Sequence, residues 1–223
     1  MNQSASIDRT DVSVETAHVV VQGELAVPDA ARAVVVLANG SGSAENRVLL
    51  RALAERLNES ELATLCADLL APKEQKIDEG TGRLRFNIRL LAERLSATAE
   101  WVARHAWTDR LPIGLLASGT GAAAALVTAA HHPETAGAVV CLEGRPDLAV
   151  DALARVAVPV LMIVGDHSRR IAQLNQMASE SLEAPHRIDV VSGVDYGFEE
   201  PAKLREVGRR AAGWYHEHVA LPG

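Results

Sequence analysis

The chain has 223 residues, 48% of them apolar and 23% charged, with a formal net charge of −7. That length suits one α/β domain with a sizeable core, and the negative balance argues against a binder of nucleic-acid phosphates. Aromatic residues make up only 3%, so Ala, Val and Leu carry the core, which favours close helix-on-sheet packing over aromatic-lined clefts.

Residues 1–11 are polar and read as a flexible N-terminus, with a single domain over 12–223. Val12–Glu15 and His18–Val27 read as strands broken near Thr16 and Ala17, Gly23 marking a bulge or bend. Ala33–Ala38 is a continuous apolar strand, the pattern of one buried on both faces of a parallel sheet. The glycine-rich loop Asn39-Gly-Ser-Gly-Ser43 follows, and Ser43 with Asn46 three residues on marks a helix start. Leu62–Ala67 is the next strand. The polar segment 68–84 is longer than a usual connection and reads as a lid loop. Ile88, Leu91, Leu95, Ala99 and Val102 form one helical stripe. Strands are expected at 113–117, 138–142, 158–164 and 187–191. Helices are expected from Thr120 to His131, over about 170–182 and over about 201–218, the last opening on Pro201.

Strands alternating with helices predict a doubly wound, mostly parallel sheet of about seven or eight strands with helices on both faces. In such sheets the site lies at the carboxyl ends of the strands. Cys66 and Cys141 sit in apolar runs and read as small buried hydrophobes. The N-terminus has no secretory pattern and no apolar run reaches spanning length, so a cytoplasmic protein without membrane contact is expected. No cofactor and no metal are expected: His131 and His132 lack ligand spacing and read as cations at a helix end. The expected partners are a small-molecule ligand and a protein partner, with no nucleic acid; a monomer or homodimer is expected.

Leu111–Leu126, LPIGLLASGTGAAAAL, places a buried strand, a tight turn and a helix in succession. That is the layout of a nucleophile elbow, in which G-x-S-x-G carries the attacking serine. Ala117 and Gly121 supply the small flanking residues, but the apex between them is Gly119, and Ser118 stands one position early.

Most of the chain, from about Val19 to His218, resembles the dienelactone hydrolase-like group of the α/β-hydrolases. The matching stretches are the elbow (GLFGASTGAAAAL in relatives), NGSGS (HGSGS in relatives), LRFNIRLLAERL, GRPDLA, LMIVG followed by LN, and GFEEP. The resemblance implies the α/β-hydrolase fold and hydrolysis of esters or lactones by a serine, an acid and a histidine. Carried over position by position, it puts the serine on Gly119, the acid on Ser168 and the histidine on Tyr196. The oxyanion loop is shortened after Ser43, and its leading histidine is Asn39. A tyrosine with a pKa near about 10 is a poor base at neutral pH, and loss of triad members costs on the order of 10⁴ to 10⁶ in turnover.

Three readings follow. The first is a non-hydrolytic relative, a pseudoenzyme whose pocket binds a small molecule or which serves a partner protein. Its pocket would draw on Asn39, Gly40, Ser41, Thr120, Glu143, Asp195 and Tyr196, with the Thr120 amide at a helix N-terminus suited to an anion or a carbonyl oxygen. The second is an active ester or lactone hydrolase with a rearranged site, Ser118 as nucleophile and Asp166 or His167 as acid or base; the bland alternatives are a structural serine and a solvated turn with Ser168 capping the next helix. The third is lyase or isomerase chemistry with Tyr196 or Asp195 moving the proton. Glu143 is either a new pocket carboxylate or a solvated one, and Arg145 pairs locally with Asp147.

Overall fold

The computed structural model describes residues 6–193, 198 and 200–219. Among them, eight strands form one sheet in the order β1-β2-β4-β3-β5-β6-β7-β8. The strands are β1 (Ile7–Glu15), β2 (Val20–Pro28), β3 (Ala33–Asn39), β4 (Leu62–Asp68), β5 (Ile113–Ser118), β6 (Ala138–Leu142), β7 (Val160–Gly165) and β8 (His186–Val191). The pairs β1–β2 and β2–β4 are antiparallel. From β4 through β3 to β8 every pair is parallel.

Helices cover both faces, which is why β3, β5, β6 and β7 are buried throughout and, but for the terminal Asn39 and Ser118, carry no polar side chain. Val34, Val36 and Ala38 of β3 pack into one core with α3 (Ile88–Arg104) and α4 (Thr120–His131). The alternate residues Ala33, Val35 and Leu37 pack into a second core with α1 (Ala44–Asn58) and α7 (Pro201–His218). Helix α1 starts where the sequence places it: Ser43 caps it by accepting from the Asn46 amide. The remaining helices are α2 (Pro72–Thr81), α5 (Val150–Leu153) and α6 (Arg169–Ser179).

Three expectations are corrected. The segment read as flexible over 1–11 enters the sheet at Ile7, and β1 keeps register with β2 from Ile7↔Pro28 to Glu15↔Val20. Its polar residues misled because this is an edge strand with one face in solvent. Gly23 makes no bulge, since it stays in register with Val12 and Ala67. Its lack of a side chain serves spacing instead: a Cβ there would lie 2.7 Å from the Cys66 carbonyl oxygen.

The segment 68–84 is not an irregular loop, because Pro72–Thr81 is helical and ends on Gly82 at φ 63°. The helix carries few apolar residues to signal it. It is held by charges: the Glu74 carboxylate takes both Arg94 amino groups at 2.7 Å, and Arg94 also donates to the Leu69 carbonyl. Buried Asp78 accepts from Arg85 Nε at 2.6 Å and from the amides of Leu84 and Arg85.

Candidate functional site

The carboxyl ends of β3, β4 and β5 meet in one polar cluster. At the end of β5 the chain reverses into α4 through Gly119, whose φ of 54° and ψ of −128° form a turn that residues with a Cβ adopt only under strain. The apex amide donates to the Leu142 carbonyl, and the apex carbonyl accepts from Arg145 and Ala122. The elbow spacing predicted from small residues holds: a Cβ on Gly121 would sit 3.4 Å from that of Ala117, and one on Gly40 only 2.9 Å from the Gly121 Cα. The loop after β3 therefore lies directly on the first turn of α4. Gly119 brings no side chain to this place, and Thr120, almost wholly buried, opens α4 beside it.

Ser118 is held by an amide side chain. Its hydroxyl donates to Asn46 Oδ1 at 2.5 Å. Asn46 Nδ2 donates to Asn39 Oδ1 at 2.8 Å, and Asn39 Nδ2 donates to Asp68 Oδ1 at 2.8 Å. Arg47 closes the row by donating to Asp68 Oδ2 at 2.8 Å and to Gln75 Oε1 at 3.2 Å. Every step runs in one direction, from the serine hydroxyl to a carboxylate that a guanidinium neutralises. An amide oxygen is not basic, so this row does not activate Ser118. No histidine is a hydrogen-bond partner of Ser118 among the described residues. In these contacts the Ser118 hydroxyl is engaged by the Asn46 amide.

Asn39 and Ser41 belong to the same cluster. Asn39 Oδ1 also accepts from the Gly42 amide at 3.1 Å and from Ser41 Oγ at 3.3 Å. The Asn39 side chain, expected on the oxyanion loop, is thus spent on holding that loop. Asn46, Arg47, Asp68 and Gln75 were not among the site residues read from the sequence. The faint signals were the capping position of Asn46 and the lone acid ending the apolar run of β4.

The other predicted groups sit at the ends of β6 and β7. Glu143 is buried at 3% exposure, takes a positive φ of 45° and accepts from the Gly165 amide at 2.5 Å. It is therefore not a solvated carboxylate; it ties the two strand ends together. Arg145 pairs with Asp147 through two hydrogen bonds of 2.8 and 2.7 Å, as expected. That partner pushes the guanidinium pKa up. Ser168 does stand at the N-cap of α6, but its side chain makes no capping bond. His167 is exposed and 3.8 Å from Asp166. Asp195 and Tyr196 lie outside the described residues.

Two clefts flank this region. One of about 220 Å3 is lined by Asn39, Arg47, Cys66 and Asp68 among others, so it opens on the far end of the hydrogen-bond row. The other, about 410 Å3, lies between α3, α4 and α5 and contains none of the predicted site residues. Cys141 is fully buried, and burial pushes its thiol up to about 12. Cys66, also expected to be buried, is partly covered. Its thiol is pushed up to about 12 by desolvation first and then by Glu24. His131 stands in the last turn of α4, and its Nε2 lies 3.2 Å from an Arg155 amino group. No helix among the described residues is long and apolar enough to cross a membrane.

Known proteins share this architecture. The family model described as the dienelactone hydrolase family matches residues 21–218. The crystal structure of a dienelactone hydrolase from Anabaena variabilis superposes with a TM-score of 0.90 and 39% identity, over 96% of this chain and 99% of that one. Est1E from Butyrivibrio proteoclasticus superposes with a TM-score of 0.77 at 12% identity, over 93% of this chain and 98% of that one, a likeness of fold alone. A Mycobacterium tuberculosis H37Rv protein named "Putative phosphoribosyl transferase" is 40% identical over 213 residues. Those residues are 96% of this chain and 47% of that protein, so the chain spans about half the length of the curated relatives it matches.

Proposed function

We propose, from the premise that this chain belongs to the dienelactone hydrolase family, that it is a non-hydrolytic member whose elbow binds rather than cleaves. The observation that carries this reading is the apex of the elbow: Gly119 holds the turn and has no side chain. The neighbouring Ser118 has its hydrogen on the amide oxygen of Asn46. The family resemblance assigns the acid and histidine positions to Ser168 and Tyr196, neither suited to activate an oxygen nucleophile. What the elbow retains is the start of a helix, where amides and the helix dipole favour a carbonyl oxygen or an anion.

The test is hydrolysis of short-chain aryl esters together with labelling by a serine-directed phosphonate. Wild type is expected to show neither turnover above buffer nor label. Turnover and labelling that both vanish in Ser118→Ala would establish the rearranged hydrolase instead.

A second reading, service to a protein partner, is favoured by the length of the curated relatives, in which this fold accounts for about half the chain. It predicts that the chain co-elutes with the unmatched half of the Mycobacterium tuberculosis relative on size exclusion. Separate elution at micromolar concentrations would count against it.

A further inference from the structure

The cleft between α3, α4 and α5 has a volume of about 410 Å3, inside the range of about 300–1,000 Å3 typical of small-molecule sites. Its wall is mixed, and the apolar part includes Ala92 from α3, Val127 from α4, Leu148 ahead of α5 and Ala152 on it. Arg155 also lines the cleft. Among the described residues no carboxylate forms an ion pair with this guanidinium, and its hydrogen-bond partner is His131 Nε2 at 3.2 Å. Because the guanidinium only donates, that ring nitrogen accepts and the imidazole leaves the positive charge of Arg155 uncompensated. The other arginine of the cleft, Arg89, differs: Glu93 holds it at 2.9 Å. Asp151 and Glu93 also line the cleft and keep its summed charge low. That suits a ligand with one negative charge and disfavours a polyanion.

We propose that this cleft binds a small monocarboxylate with an apolar tail. The carboxylate takes the planar fork of Arg155 through two charge-assisted hydrogen bonds. The tail lies along Ala92, Val127, Leu148 and Ala152. The site is separate from the elbow and stands or falls independently of whether Gly119 ends hydrolysis.

The experiment titrates octanoate into the full chain, labelled with ¹⁵N, and follows amide shifts. Octanamide tests the charge, acetate tests the tail, and inorganic phosphate tests a plain anion site. Saturable shifts are expected at Val127, Leu148 and Ala152, with octanamide, acetate and phosphate each weaker by about ten-fold or more. Arg155→Gln, an exposed position, is expected to fold and to bind octanoate no better than octanamide. Ala152→Trp, which fills the cleft, is expected to lose octanoate binding. The proposal is overturned by shifts that do not saturate at millimolar octanoate, by shifts centred on Gly119 and Thr120, or by phosphate binding as tightly as octanoate. It is equally overturned if the charge preference survives Arg155→Gln.

Discussion

Ser118 and Asn46, 72 residues apart in sequence, are joined by a hydrogen bond of 2.5 Å in which the serine donates. The bond locks the end of β5 to the first turn of α1 and gives the serine hydrogen to a group that cannot carry it away. Ser118→Ala is therefore expected to lower stability by about 1 kcal/mol and to leave any trace of ester turnover unchanged. Urea unfolding with an unaltered slope, beside an aryl-ester assay, checks both halves.

Gly119→Ser places a hydroxyl at the apex of the elbow but forces a side chain onto φ 54° and ψ −128°. The expected outcome is a loss of about 1–3 kcal/mol from backbone strain, without ester hydrolysis, since Ser168 and Tyr196 stand where the family resemblance puts acid and base. Robust turnover by this variant would show that another base serves the elbow.

Gly40 and Gly121 let the loop after β3 and the start of α4 touch. In Gly40→Ala the new Cβ would meet the Gly121 Cα at 2.9 Å, and backbone cannot swing aside as a flexible side chain does. A loss of about 1–3 kcal/mol is expected, read as a lowered Tm, with the larger amide shifts confined to 39–43 and 119–122.

Glu74 ties α2 to Arg94 of α3 and Asp78 ties it to the following connection at Leu84 and Arg85, and both carboxyl pKa values lie below their ordinary values. For Glu74 the first cause is the hydrogen bond from Arg94. For Asp78 burial works upward, but hydrogen bonds from Arg85 and Leu84 outweigh it. A depressed folded pKa means the contribution is complete above about pH 5 and fades as pH falls through the unfolded carboxylate range near about 4 toward the folded values. Acid is thus expected to release α2 early, seen as faster amide exchange over 72–81 below about pH 4. Glu74→Gln, which leaves Arg94 buried beside a neutral partner, should cost about 3 kcal/mol at pH 7 and flatten that pH slope.

Both thiols are pushed up to about 12, so thiolate is scarce at pH 8 and reaction with a disulfide reagent should be slow in the folded chain. Two thiols per chain are expected to react quickly once it is unfolded. Fast reaction of Cys66 in the native state would place its sulfur in a more polar surrounding than the one described.

Much of the fold was legible in the residues. Residues 33–38, 113–117 and 160–165 carry no polar side chain and do not alternate, and only a strand covered on both faces tolerates that. The helices with apolar stripes, α1, α3 and α4, lie within a few residues of their expected positions. Where the pattern failed, the element is held by polar contacts. The strand β1 is an edge with a solvent face, and α2 is fastened by polar contacts, Glu74 to Arg94 twenty residues on and Asp78 to the nearby Arg85. The elbow was legible for the same reason as the strands: small residues at fixed spacing are a local demand of a strand and a helix passing at contact distance.

The sequence by itself determined the class of fold, the position of the elbow and the absence of a side chain at its apex. Each of these is written in local spacing, in residue size or in the identity of one residue. Only the tertiary structure decided what the neighbouring groups do. It alone brought Ser118, Asn46, Asn39 and Asp68 into one row, buried Glu143 against the end of β7, and left Arg155 facing an imidazole rather than a carboxylate. These residues come from different strand ends and helices, and the direction of a hydrogen bond depends on how the folded chain orients both partners, which no local pattern encodes.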